Sequence, residues 1–141
     1  MEEFMKRRGF LIALSVFHSV VNTLYLVRFF GIWPPEELVY GYVPWFMSFA
    51  LPNAAFTAVS WLLVYALIKN RVPLAVTAGF IKSGGLIFHA LIGLMFGLYT
   101  GLFIVISVGV LFEISVYIYG LLLAAFYISQ FGAIIYKNLG K

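Results

Sequence analysis

Five ionisable residues stand inside long apolar runs of this chain: His18 and Arg28 in the first run, Lys82 and His89 in the third, and Glu113 in the fourth. An ionisable group is costly to keep in apolar surroundings, so such groups turn towards protein or water and mark proton relays, ion paths or ligand sites. Polar and small residues recur around them at helical spacing. Ser15, His18, Asn22 and Tyr25 form one stripe, and Asn53, Thr57 and Ser60 a second. Lys82, Gly85, His89 and Gly93 form a third, and Gly109, Glu113, Tyr117, Gly120 and Tyr127 a fourth. The imidazole of His18 and the carboxylate of Glu113 can each hold and release a proton as solvation changes. Lys82 and Glu113 can neutralise each other. Asn22, Asn53 and Thr57 add uncharged hydrogen-bonding groups. Arg28 and His89 lie nearer a membrane surface, where long side chains reach the interface, and structural roles suit them better.

Other chemistries find no support in the residue types. There is no cysteine and no aspartate, which removes disulfides, thiolate metal sites, thiol catalysis and a Ser-His-Asp triad. Two histidines and one glutamate scattered over three runs lack metal-ligand spacing, so no metal site is expected. His18 and His89 differ by about 11 Å in height at 1.5 Å per helical residue, which argues against a single bis-histidine haem. No phosphate-binding glycine fingerprint is present, and no cofactor is expected. The net charge of +4 carries no nucleic-acid signal, because the basic residues sit at the ends of apolar runs, where they meet lipid headgroups.

The elements that must position these groups are membrane helices. Of 141 residues, 64% are hydrophobic and 10% charged, against roughly 45–50% and 25% in soluble domains. The length is that of one domain. Four apolar runs, at about 9–30, 44–68, 72–98 and 102–136, each exceed the ~20 residues that cross a bilayer. Lipid offers the backbone no hydrogen-bond partner, so these runs are helices. The predicted fold is an all-α four-helix transmembrane bundle. Lys6, Arg7, Arg8, Lys69, Arg71, Lys137 and Lys141 all fall on one side of it. The positive-inside rule makes that side, and both termini, cytoplasmic. The chain is thus expected to be a multi-pass protein of the cell membrane, its first run a retained span and not a cleaved leader.

Punctuation refines the picture. Pro44 and Pro73 suit first helical turns, and Pro52 predicts a kink near Ser48. The segment 31–37 predicts an outer loop, followed by a short interfacial helix near 36–42. Trp33, Tyr40, Tyr42 and Trp45 would form an aromatic belt there. The fourth run would extend about 52 Å as one helix, so it must tilt, protrude into the cytoplasm, or break near Gly109 or Gly120. Gly93, Gly97 and Gly101 form a close-packing face, extended by Gly79 and Ser83.

Counting rise from the run ends puts His18 roughly 14 Å and Lys82 roughly 15 Å from the inner edge, and Glu113 roughly 16 Å from the outer edge. That arithmetic predicts one mid-membrane layer of His18, Asn22, Asn53, Thr57, Lys82 and Glu113. Three functions are compatible with it. The first is transport of, or a channel for, a small polar or ionic solute. The second is a non-catalytic accessory subunit of a larger membrane complex. The third is an enzyme acting on a lipid or quinone with His18 or Glu113 as acid or base, which short loops disfavour. The expected partners are the lipid bilayer and either further copies of the chain or the other subunits of such a complex.

Overall fold

The protein is described by a computed structural model, which covers residues 2–27, 51–99 and 108–139. Those residues form four α-helices: α1 (Glu2–Val27), α2 (Leu51–Ile68), α3 (Val72–Tyr99) and α4 (Val108–Leu139). Among the described residues no strand occurs. Three helices are long and apolar enough to cross a membrane, over Leu51–Ile68, Val72–Met95 and Ile114–Asn138. Their outer surfaces carry large apolar side chains such as Trp61, Phe88, Met95 and Leu122, as helices solvated by lipid do. In α1, Glu2, Glu3, Lys6, Arg7 and Arg8 occupy the first two turns, and an apolar stretch follows from Gly9.

The chain divides into two compact units, Met1–Ala78 and Gly79–Lys141. In the first, α1 packs against α2, with Phe4, Leu11, Leu63 and Leu67 fully buried. The link from α2 to α3 follows from the sequence Lys69-Asn70-Arg71. Asn70 adopts a left-handed backbone (φ 57°), a conformation that asparagine tolerates better than most residues. The Asn70 amide then donates to Leu67 O (3.4 Å) and the Arg71 amide to Ala66 O (2.9 Å). These two bonds form a Schellman motif, which satisfies carbonyls that the end of a helix otherwise orphans. Pro73, in the first turn of α3, lacks an N–H that would have no intrahelical partner there. In the second unit, α3 and α4 meet where the side chains of Phe131, Leu86 and Tyr117 pack at Gly79, Gly120 and Gly93, and Ala90, Leu123, Ala124, Tyr127, Phe131 and Ile134 are buried.

α4 is one unbroken helix of 32 residues, about 48 Å long. It does not break at Gly120, where the side chain of Leu86 packs alongside at ordinary contact distance. Of the sequence expectations, Arg28, the outer loop and its belt, Pro44, the kink near Ser48 and Gly101 lie outside the described residues. The side chains of Tyr25 and Glu113 and the surroundings of Gly97 do as well.

Candidate functional site

In the first unit the polar groups form a seam between α1 and α2. Asn22 Nδ2 donates to Ser60 Oγ (2.9 Å), and Ser60 Oγ donates on to Phe56 O (3.0 Å). One residue along each helix, Trp61 Nε1 donates to Thr23 Oγ1 (2.8 Å), whose hydroxyl donates to Ser19 O (2.7 Å). A turn earlier in α2, Thr57 Oγ1 donates to Asn53 O (2.8 Å). Ser15, His18 and Ser19 lie on the same face of α1 as Asn22 by the helical period, and all three are buried, as are Thr57 and Ser60. The His18 ring meets Phe17 edge-on, with centroids 5.3 Å apart. The Ser19 hydroxyl is buried without a hydrogen-bond partner among the described residues. His18, Asn22, Asn53 and Thr57 therefore all belong to this unit, on two adjoining helices.

One group there escaped the sequence reading. Arg8 was expected at the lipid headgroups with the other basic residues. Its guanidinium instead donates to Leu67 O (2.8 Å) and Ile68 O (2.7 Å), at the end of α2. It gives Leu67 O, which already accepts from the Asn70 amide, a second donor and supplies one to Ile68 O, and its charge sits at the negative end of the helix dipole. Sequence alone gave no sign of this contact, because it joins positions 59 and 60 residues apart.

In the second unit Lys82 is fully buried. Its Nζ has no hydrogen-bond partner among the described residues and lies 5.7 Å from the centre of the Tyr127 ring, inside the range of a cation–π contact. Tyr127 stacks on Phe131 (6.0 Å), and Phe131 fills the space that a side chain at Gly79 would need. Beside Lys82, Ser83 is buried and donates to Gly79 O (2.7 Å). Nearer the other end of the helix pair, His89 meets Tyr117 edge-on (5.4 Å), and the Tyr117 ring occupies the space beside Gly93.

These contacts fix the antiparallel register of α3 and α4: Gly79 with Phe131, Lys82 with Tyr127, Leu86 with Gly120, and Gly93 with Tyr117. Glu113 lies fourteen residues before Tyr127 on an unbroken helix, about 21 Å further along it. The residue that α4 sets against Lys82 is thus Tyr127. By that rise the backbone of Glu113 is level with the last turns of α3. Among the described polar groups of this unit, Lys82, Ser83 and His89 follow one another along α3. Among the described residues no three histidine, aspartate or glutamate side chains converge as metal ligands would. No protein-family model, curated protein or solved structure matches the chain.

Proposed function

We propose that this is a four-span protein of the cell membrane, with both termini cytoplasmic, that carries a small polar or ionic solute along the polar groups held between its helices. Three membrane-length apolar helices support the spans, and the apolar stretch of α1 supplies the fourth. The seven basic residues at 6–8, 69, 71, 137 and 141 support the orientation.

The observation that carries the reading is Lys82. A lysine sealed in apolar packing, about 15 Å from the start of its helix, contributes little as structure. Replacing a buried charged group by a well-packed apolar one is often neutral or stabilising. Ionisable groups kept in membrane interiors line the paths of ions and polar solutes. His18, Asn22, Asn53 and Thr57 add a second polar seam. Four helices alone enclose little space, so the transporting form we propose is a homo-oligomer.

Reconstitution tests this reading. Purified protein in liposomes should pass at least one of protons, potassium, chloride or acetate, and Lys82→Met should abolish that flux while the melting profile stays cooperative. Silent liposomes, together with a foreign chain that co-purifies, would replace transport by the accessory-subunit reading.

A further inference from the structure

Lys82 is a cation for which the described residues offer no anion. The chain has five acidic residues, all glutamate. Glu2 and Glu3 are already paired, with Lys6 and Arg7 one turn along α1. Glu36 and Glu37 fall outside the described residues. Glu113 is the one acid in the three long apolar helices, and the register puts it about 21 Å along α4 from the level of Lys82. Tyr127 offers the ammonium its ring face, which favours a cation but does not neutralise one. A buried charge needs a counter-charge and hydrogen bonds to be tolerated.

We infer that the counter-charge comes from the solute: Lys82 is the anion-binding point of the transport path, and the solute bears one small anionic group, a carboxylate or an inorganic monoanion. This rests on the transport reading above. Two features set the class. Lys82 lies ten residues after Val72 and thirteen before Met95 in its membrane-length stretch, so about 15 Å and 20 Å from its ends. Lipid phosphates at the interface are out of reach of a lysine stem at that depth. The neighbours one turn along the helix are small. Gly79 is filled by the Phe131 ring and Lys82 is fully enclosed, so a bulky anion does not fit beside it and the class is a compact one.

The test is thermal unfolding of the full chain in phosphatidylcholine nanodiscs, titrated with sodium acetate or chloride against sodium gluconate at constant ionic strength. The expected result is a saturable rise in Tm with acetate or chloride and none with gluconate, reaching roughly 9 °C at a hundredfold excess over Kd. The rise should persist in part in Lys82→Arg and vanish in Lys82→Met. Identical curves for all three anions in the native chain would overturn the proposal, and that arm needs no variant to fold. So would an anion response that survives in Lys82→Met. A parallel series in phosphatidylglycerol discs separates the sources: a Lys82-dependent rise produced by the anionic lipid alone would overturn the free-solute assignment. Flux in liposomes without any anion response would sink this inference and leave transport standing. A Lys82-dependent anion response with silent liposomes would uphold the anion site and sink transport.

Discussion

At the scale of single residues, the register of α3 and α4 decides which groups can act together. Lys82 and Glu113 are too far apart along the helix pair to couple, and distant sites add to within about 0.5 kcal/mol. A double-mutant cycle of Lys82→Met and Glu113→Gln, read by thermal unfolding, should therefore be additive. The cycle of Lys82→Met with Tyr127→Leu should show a coupling of about 0.5–2 kcal/mol, the range of a desolvated cation–π pair. Glycines provide a second contrast. Gly79→Ala drives a methyl into the Phe131 ring, which is fully buried and stacked on Tyr127 and so cannot swing aside. It should cost about 1–3 kcal/mol, and Phe131→Leu in the same chain should recover part of that. Gly132→Ala meets no neighbouring atom and should stabilise its helix by about 0.5–1 kcal/mol.

The sequence made the polar stripes legible, because each is a property of one helix and its period. It did not make the register legible. The depth of Glu113 was counted from the outer end of a run of about 52 Å crossing ~30 Å of hydrocarbon. Counted from the inner end, the same run brings Tyr127 to the level of Lys82, as the contact between them requires. Only a contact across helices could choose between the two counts.

At the scale of elements, the ends of α2 and α3 were readable because their signals are local. Residues 69–71 hold the turn polar residues, and Pro73 marks a first turn. α3 itself runs from Val72 to Tyr99, and its membrane-length stretch from Val72 to Met95. Arg8 was unreadable for the opposite reason, since its partners are carbonyls on another helix. Its two bonds to the end of α2 are charge-assisted, a class worth about 1.5–3 kcal/mol each when buried; one of them is exposed, which lowers its share. Arg8→Ala should therefore cost about 1–3 kcal/mol in thermal unfolding. Arg8→Lys should recover less than half of it, because an ammonium cannot reproduce the fork that spans two adjacent carbonyls. On the proposed four-span reading the Asn22–Ser60 bond is an interhelical contact in the membrane, a class worth about 0.6 kcal/mol on average. Asn22→Leu should accordingly be the milder change of the two.

At the scale of the whole molecule, the charge distribution makes one demand that can be tested without knowing the solute. Positive-inside statistics act on short loops and on the residues flanking each span. Here Lys69 and Arg71 fill the turn between α2 and α3, while the segment between α1 and α2 carries Glu36 and Glu37 and, past Arg28, no basic residue. An even number of spans is the only count that leaves Lys6, Arg7 and Arg8 on the same side as Lys137 and Lys141. The chain has no cysteine, so single cysteines report without background. Lys69 is exposed in its turn, which makes Lys69→Cys a mild probe of the side proposed as cytoplasmic, and Glu36→Cys probes the other. In intact cells an impermeant maleimide should label Glu36→Cys at once and Lys69→Cys only after the membrane is opened. The reverse order would invert the proposed orientation while keeping the span count. Labelling of both positions from outside would leave α1 or α2 uncrossed, and with it would go the four-span membrane protein on which the transport path depends.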